Sequence, residues 1–253
     1  MRRTLIICLF IALLPTCCAL CKSRTRTIHL STYNIRHGKG MDGLIDYQRI
    51  AQTLSLAKPD VVAVQEVDSM TKRTDNRFGL DEIAKTMRMK AVFAPAINYQ
   101  GGKYGVGLLC KKKPLSVTRI PLPGRGEARV LLVAEFKHYV VACTHLSLTE
   151  TDRMVSIDII SGEAIRWKKP FFLMGDLNGQ PGTAFYEALT RHFRVLNNPA
   201  MPTFPADKPN SCIDYILIDQ SHSSAASVLN TYVGTGLASD HRPLHATIQL
   251  KRE

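Results

Sequence analysis

The chain has 253 residues, of which 45% are hydrophobic. This length and composition suit one sizeable α/β domain, and the absence of any linker-like, repeated or low-complexity stretch excludes a repeat protein. The 33 Lys and Arg residues exceed the 21 Asp and Glu residues, so the formal net charge is +12. A surface this basic favours polyanionic partners (nucleic acid, anionic lipid or phosphorylated small molecules), although many soluble proteins are basic for solubility alone.

Residues 1–22 have the pattern of an export signal. Two arginines precede an apolar run at 5–14, which is too short for a confident membrane span, and small residues follow it. Cleavage after Ala19 fits this pattern, and a lipid anchor at Cys17 is the alternative. We therefore expect residues 23–253 to form the mature domain. Its expected location is the periplasm or the extracellular space, with lipid anchoring in the cell envelope as the alternative.

Four of the seven cysteines lie in this leader. The other three, Cys110, Cys143 and Cys212, lie in apolar, strand-like sequence. Because their number is odd and their surroundings are apolar, we predict buried free thiols rather than a disulfide framework.

In chain order, the hydrophobic patterns alternate between the strand period and the helix period. The predicted strands are residues 27–33, 61–65, 91–95, 106–110, 115–120, 130–136, 139–144, 171–174, 213–218, 228–233 and 244–250. The predicted helices are residues 46–57, 80–89, 152–167 and 183–190. Strands outnumber helices and follow one another without a helix in 106–144, so a regular βα barrel is excluded. The pattern favours a three- or four-layer α/β sandwich with largely antiparallel sheets.

Short polar motifs stand where several of the predicted strands end. Strand ends in an α/β sheet converge on one crevice, so residues far apart in sequence can build one site there. The residue types are Glu, Asp, Asn and His, which suit a hard metal ion and a phosphoryl group. The motifs are Thr32-Tyr33-Asn34, Gln65-Glu66, Thr144-His145-Leu146, Gly175-Asp176-Leu177-Asn178, Ile213-Asp214-Tyr215 and Ser239-Asp240-His241-Arg242-Pro243.

Asp176 and Asn178 are two residues apart just after the strand at 171–174, so a continuing strand would place both side chains on one face. Gly175 would let the backbone approach a ligand closely. Asp176 can accept a proton from water, and Asn178 can donate to a phosphate oxygen. An ordinary turn is the alternative, since Gly, Asp and Asn are common turn residues.

Glu66 ends a buried strand, where a carboxylate costs desolvation energy unless it is paired or bound to a metal. It is either a Mg²⁺ ligand or a surface residue at a strand end. Asp240 and His241 offer a metal ligand beside a proton-transfer group. Asp214 lies in a buried stretch and needs a partner, so we predict that it pairs with His241. His145 is a candidate only through its place among these motifs.

These motifs, in this order, resemble those of the endonuclease/exonuclease/phosphatase superfamily, and the resemblance spans residues 28–248. It implies a four-layer α/β sandwich with two packed mixed, largely antiparallel sheets flanked by helices. It also implies Mg²⁺ as the cofactor, with Mn²⁺ as an alternative. Glu66 would bind this ion with Asp240 nearby, and Asn34 would orient the active-site groups and the phosphate.

The resemblance further implies that Asp176 positions or activates the nucleophilic water. Asn178 and His145 would hold the scissile phosphate. His241, set by Asp214, would be the principal histidine of the hydrolysis.

Two departures from the superfamily pattern change these expectations. Arg36 stands where apurinic-site endonucleases carry an acidic residue, so a phosphate contact is expected of it. Secreted deoxyribonucleases pair the first histidine with a carboxylate from an earlier strand, but residues 98–126 contain no Asp or Glu. Phosphate binding is therefore expected of His145 rather than proton transfer. Arg73, in the loop after Glu66, either reaches the substrate or is plain surface.

We therefore predict an exported, Mg²⁺-dependent monomer that hydrolyses a phosphodiester by attack of metal-activated water, with nucleic acid as the favoured substrate and endonuclease-like action. The alternative is a phosphatase or a phospholipase C-type diesterase that acts on inositol phosphates or sphingomyelin. Outside enzymes, the alternative is a non-catalytic binding protein on the same fold.

Overall fold

The computed structural model describes residues 25–251, so the predicted leader at 1–22 lies outside the described residues and stays a prediction. Within the described residues, twelve strands form two six-stranded mixed sheets. The first sheet has the order β11-β12-β1-β2-β4-β3, with β1 (Thr25–Asn34), β2 (Val61–Ser69), β3 (Lys90–Tyr99), β4 (Gly102–Cys110), β11 (Ala226–Val233) and β12 (Leu244–Lys251). The second has the order β5-β6-β7-β8-β10-β9, with β5 (Ser116–Leu122), β6 (Arg129–Glu135), β7 (Val140–His145), β8 (Phe171–Asp176), β9 (Phe193–Val195) and β10 (Asp214–Asp219).

Each sheet contains one parallel pair, β1 with β2 and β7 with β8, and its other pairs are antiparallel. Four α-helices of the described residues complete the layers: α1 (Tyr47–Ser55), α2 (Gly79–Met87), α3 (Glu150–Ile165) and α4 (Ala184–His192). Asp46 caps the first helix, since its carboxylate accepts a hydrogen bond of 2.9 Å from the backbone N–H of Arg49.

Three apolar clusters hold the four layers together. The largest lies between the sheets, and the other two lie between each sheet and its helix pair. Alternation along β2 serves both faces: Val61 and Ala63 pack against the other sheet, whereas Val62 and Val64 pack under α1 and α2. A strand covered on both faces is apolar throughout, which explains its uninterrupted hydrophobic run. The predicted four-layer α/β sandwich is therefore confirmed.

The remaining differences from the sequence prediction are local. The short strand β9 was not predicted. It follows α4 directly, and the apolar pattern of the sequence shows no break between the two elements. Strands β3 and β4 extend toward each other into a hairpin longer than predicted. Cys110, Cys143 and Cys212 are buried free thiols, as predicted. No helix within residues 25–251 is long and apolar enough to cross a membrane.

Candidate active site

Strand register brings three of the predicted site residues together at one end of the second sheet. His145 pairs with Asp176 across the parallel strands β7 and β8, and Asp214 pairs with Asp176 across the antiparallel strands β8 and β10. All three side chains are buried. The ends of β7 and β8 and the start of β10 lie at the same level of the sheet, so they bring together residues that are far apart in the sequence.

Asn34, at the end of β1, joins this group to the first sheet. Its amide Nδ2 donates to Glu66 Oε1 at 3.0 Å and to Asp176 Oδ2 at 3.1 Å. Its Oδ1 accepts from the backbone N–H of Arg36 at 3.1 Å. Because the side chain is fully buried and both amide hydrogens are used, Asn34 orients two carboxylates and has no hydrogen left to donate to a phosphate.

Glu66 reaches the site through a β-bulge. The register between β2 and β4 shifts between Val64 and Val67, and Glu66 has a φ of 55°. A bulge of this kind redirects one side chain and leaves it outside the regular alternation. Burial raises the pKa of the Glu66 carboxyl, and the carboxylates of Asp240 and Asp176 raise it further, against the hydrogen bond from Asn34.

The loop before β12 places Asp240 beside Asn34 and Arg36. Ser239 Oγ lies 2.8 Å from the backbone oxygen of Asn34 and 3.2 Å from Asp240 Oδ1, and these two acceptors share its single hydrogen. Arg36 Nε lies 3.3 Å from Asp240 Oδ2. The structure therefore places Arg36 against a site carboxylate, and Arg36 does not line the cleft described below.

His241 forms the predicted pair with Asp214. Its Nδ1 donates to Asp214 Oδ2 at 2.9 Å, and its Nε2 lies 3.6 Å from Asp176 Oδ2. Burial opposes the charged ring, but Asp214, helped by Asp176 and Asp240, raises the pKa of His241 to about 10. The ring of Phe204 lies 4.8 Å from the His241 ring and covers it. At neutral pH His241 is therefore a cation that can donate from both nitrogens.

His145 lies on the other side of Asp176, in a different environment. Its Nε2 is 3.4 Å from Asp176 Oδ2, and its Nδ1 is 3.4 Å from Arg129 Nη1. Burial lowers the pKa of His145 to about 4; the charge of Arg129 also lowers it, against the effect of Asp176. Arg129 is itself paired with Glu127 Oε1 at 2.6 Å.

Arg129 and Glu127 were not among the predicted site residues. The stretch without acidic residues that sequence reasoning considered ends at 126, one position before Glu127. An arginine at the start of a strand paired with β7 was the available signal, because such a residue lies near the end of β7.

One expectation at the end of β8 is wrong. The strand ends at Asp176, and Asn178 has a φ of 50°, so the two side chains do not share a strand face. Asn178 is instead held by hydrogen bonds from its N–H to Asp176 Oδ1 and from its Nδ2 to the backbone oxygen of Leu146. Gly175 has a φ of 149°, and a Cβ there would collide with the backbone oxygen of Thr144. This close approach is to the neighbouring strand, and the expected approach to a ligand stays a prediction.

Arg73 is held rigidly at the edge of the site. Its Nε and Nη2 donate to the two oxygens of the buried Asp68 carboxylate at 2.6 and 2.7 Å. Its guanidinium carbon lies 4.5 Å from the centre of the Tyr99 ring and 5.5 Å from that of Tyr104. Asp68, Tyr99 and Tyr104 were missed by sequence reasoning; the signal for Asp68 was its position two residues after Glu66.

These groups surround one cleft of about 500 Å³. Seven of the ten predicted site residues line it: Glu66, Arg73, His145, Asp176, Asn178, Asp240 and His241. Asn34 and Asp214 are buried and hydrogen-bonded to these lining residues. Apolar side chains also contribute to the lining: Ile97, Leu148, Phe204 and Ile213. The arrangement offers carboxylates for a cation, ring nitrogens for phosphate oxygens and an apolar surface for an attached group.

Comparison with solved structures shows the same fold. An endonuclease/exonuclease/phosphatase from Bacteroides vulgatus is 21% identical, with a TM-score of 0.71 over 89% of this chain and 100% of that chain. The mannosyl-6-phosphatase of Bacteroides thetaiotaomicron is 16% identical, with a TM-score of 0.67 over 87% and 99%. The human Nocturnin catalytic domain is 16% identical, with a TM-score of 0.67 over 89% and 95%.

Among curated proteins, no sequence matches this chain. The model of the endonuclease/exonuclease/phosphatase family matches residues 31–241, which include every predicted site residue. The chain therefore belongs to the endonuclease/exonuclease/phosphatase family.

Proposed function

We propose that this protein is an exported, Mg²⁺-dependent phosphodiesterase that acts on nucleic acid. Members of its family are phosphoester hydrolases, and they usually use divalent metals. The observation that carries the proposal is the Asn34 amide, which holds the carboxylates of Glu66 and Asp176 at 3.0 and 3.1 Å. This contact gathers the negative charge of both sheets next to the His241–Asp214 pair.

The residues of the cleft fit a divalent cation. Burial and the carboxylates of Asp240 and Asp176 raise the pKa of Glu66, so a positive charge there would relieve their repulsion. Ligand atoms of Asp176, Asp214 and His241 lie within 4.8 Å of one another. Because Asp214 and His241 are hydrogen-bonded to each other, we assign the cation to Glu66 and Asp240. Hard oxygen donors of this type suit Mg²⁺, and Mn²⁺ is the alternative.

The side chains divide the work of hydrolysis as follows. A cation held by Glu66 and Asp240 would supply charge neutralisation at the phosphate oxygens. Two ring nitrogens and the Asn34 amide fix the orientation of the Asp176 carboxylate. In this orientation Asp176 accepts the proton of the attacking water. His241, kept protonated by Asp214, donates from Nε2 to the developing charge. Asn178 retains one amide hydrogen for a phosphate oxygen after its bond to Leu146.

Charge supports nucleic acid as the substrate. The net charge of +12 attracts a polyanion, and Arg73 is fixed in the cleft with its Nη1 free of the Asp68 carboxylate. The second candidate is a phosphatase or a phospholipase C-type diesterase acting on inositol phosphates, sphingomyelin or a phosphorylated sugar. A cleft of about 500 Å³ with apolar lining favours this candidate, since that size is typical of small-molecule sites.

A substrate panel tests the proposal. Purified protein would be assayed with Mg²⁺, with Mn²⁺ and with a chelator on plasmid DNA, RNA, sphingomyelin, inositol phosphates, a sugar phosphate and a chromogenic diester. We expect cation-dependent cleavage of the nucleic acids that disappears in Asp176→Asn. Turnover of a small monoester with no cleavage of nucleic acid would instead support the second candidate. No turnover of any substrate, together with binding to one of them, would support a non-catalytic protein.

Salt dependence gives an independent measurement. Binding to a polyanion releases counterions, so the affinity for DNA should fall steeply as salt rises. The affinity for a small phosphate monoester should change much less. A flat salt response on DNA would contradict an electrostatic nucleic-acid site. Export is tested separately, by locating the full-length chain and a chain lacking residues 1–22 in fractionated cells.

A further inference from the structure

His145 is clamped between a cation and an anion. Arg129 Nη1 lies 3.4 Å from His145 Nδ1, and Asp176 Oδ2 lies 3.4 Å from His145 Nε2. The imidazole and the guanidinium are both buried, with exposed fractions of 7% and 8%. The ring therefore has one fixed neighbour for each nitrogen.

The chemistry of these two neighbours determines where the ring proton sits. A guanidinium has only donors, so Nδ1 must be the accepting nitrogen. A carboxylate has only acceptors, so Nε2 must carry the hydrogen. The opposite tautomer would set N–H against N–H on one side and a lone pair against a carboxylate on the other.

Arg129 has an acidic partner in this position. Its Nη1 also donates to Glu127 Oε1 at 2.6 Å, which supplies a counter-charge on the same side of the cleft. The charged groups acting on the His145 ring are Arg129 on β6, Asp176 on β8 and His241 across Asp176. Burial of the ring and the charge of Arg129 both disfavour a second proton on His145, against the effect of Asp176.

We propose that Arg129 is a positioning residue that fixes His145 as the neutral tautomer with its hydrogen on Nε2. In this form His145 donates a hydrogen bond into the cleft and transfers no proton during the reaction. Losing the single hydrogen of a neutral imidazole would create an anion beside the Asp176 carboxylate, which is unfavourable. This single hydrogen faces Asp176 Oδ2 at 3.4 Å and would be shared with a phosphate oxygen in the cleft; the phosphate contact alone rests on the proposed function.

Nitrogen NMR of the histidine rings tests the tautomer without any substrate. Long-range ¹H–¹⁵N correlations of the labelled full chain distinguish a protonated ring nitrogen from an accepting one, and His145→Asn assigns the signals. We expect Nε2 protonated and Nδ1 accepting in the wild type. Protonation of Nδ1 in the wild type would overturn the proposal.

Two variants of Arg129 show whether this residue is the cause. Arg129→Met removes the donor and the charge, and we expect the Nε2–H tautomer to lose its exclusive population. Arg129→Lys keeps a charged donor and should restore it. Arg125→Met is the matched control, because Arg125 lies in the same hairpin, is exposed and pairs with Asp152. An unchanged tautomer in a folded Arg129→Met protein would overturn the proposal, and so would an equal change in Arg125→Met.

Kinetics then separate this proposal from the proposed function. On a cleaved phosphodiester, Arg129→Met should lower kcat by about ten- to a hundredfold and leave KM nearly unchanged, as expected when one transition-state donor is misplaced. A change confined to KM would mean that Arg129 binds substrate instead, which contradicts its assignment. If no phosphoester is cleaved, the proposed function fails while the NMR result still decides the tautomer.

Discussion

The two histidines of the cleft lie on opposite sides of one carboxylate oxygen and have opposite electrostatic environments. His241 Nε2 and His145 Nε2 lie 3.6 and 3.4 Å from Asp176 Oδ2. Behind His241 stands the Asp214 carboxylate, and the pKa of His241 is raised to about 10. Behind His145 stands the Arg129 guanidinium, and burial, together with this charge, lowers the pKa of His145 to about 4.

The residue behind each ring, added to the burial and the carboxylate that the two rings share, accounts for their different chemical states. Both rings are buried and both face Asp176, so burial and the shared carboxylate cannot separate them. The charge of the group next to Nδ1 does separate them, because it is negative at His241 and positive at His145. Histidine thus provides both a cationic donor and a neutral donor within a single cleft.

Removing the carboxylate behind His241 should have the largest effect. Asp214→Asn keeps the shape but removes the charge that stabilises the imidazolium, so kcat on a phosphodiester should fall by about 10³–10⁴-fold. The pH dependence of kcat should shift as well, because His241 would lose its proton at lower pH. The measurement is a pH profile of kcat for both proteins.

The same strand offers a matched control. Asp219, at the other end of β10, pairs with His222 through Nδ1 at 2.7 Å. Asp219→Asn breaks an Asp–His pair outside the cleft and should leave kcat unchanged in the protein that remains folded. An equal loss in both variants would show that the effect of Asp214 is structural.

The next effect distinguishes the two histidines themselves. A glutamine can replace a neutral N–H donor but not a cation, so His145→Gln should retain more activity than His145→Ala. We expect the alanine variant to lose about 10²–10³-fold in kcat, which is typical of one lost transition-state donor. At His241, glutamine and alanine should be equally damaging.

Rates for these four variants on one phosphodiester, together with their thermal stabilities, provide the check. If His145→Gln were as inactive as His145→Ala while folded, a plain donor role for His145 would be contradicted. If His241→Gln retained most of its activity, the cationic role of His241 would fail instead.

The two arginines of the cleft extend the comparison with a smaller effect. Arg129 contacts a histidine, whereas Arg73 is anchored to Asp68 and stacked on Tyr99. Arg73→Met should therefore raise KM about tenfold, the worth of one charge-assisted hydrogen bond, and leave the tautomer of His145 as it was. Arg77→Met is the control, since Arg77 pairs with Glu82 in a half-exposed ion pair outside the cleft. A loss confined to kcat would contradict substrate binding by Arg73.

The sequence predicts the fold and the residues at strand ends because both follow from local patterns. Two-residue and 3.6-residue periods identify most strands and helices, and strand ends identify where polar groups converge. The pairing of Asp214 with His241 follows from a buried carboxylate that needs a partner, and it is present at 2.9 Å. The family resemblance supplies the order of the motifs.

What the sequence does not predict depends on backbone irregularity and on partners chosen in three dimensions. Glu66 with a φ of 55° and Asn178 with a φ of 50° occupy left-handed conformations, which no periodicity reveals. The environment of His145 depends on which strand lies beside β7. Sequence reasoning looked for a carboxylate there, whereas the structure provides the guanidinium of Arg129.

The smallest predicted effect concerns stability rather than rate. His245, buried and hydrogen-bonded through Nδ1 to Ser31 Oγ at 2.8 Å, lies outside the cleft lining. Burial lowers its pKa from 6.5 to about 4, so the unfolded chain takes up a proton that the folded chain refuses. Its contribution to stability is therefore lost as the pH falls from about 6.5 to about 4.

The contribution of His241 to stability depends on pH in the opposite direction. Because its pKa is raised to about 10, this contribution is complete below about pH 6.5 and is lost as the pH rises toward 10. The check is the free energy of unfolding in urea, measured in chelator from mildly acidic to alkaline pH. His245→Gln should reduce the loss of unfolding free energy at acidic pH by on the order of 1–3 kcal/mol and leave the values at alkaline pH unchanged. His241→Gln should reduce only the loss of unfolding free energy at alkaline pH. If His245→Gln does not change the loss of unfolding free energy at acidic pH, His145 and other buried groups cause that loss, and the contribution assigned to His245 is wrong.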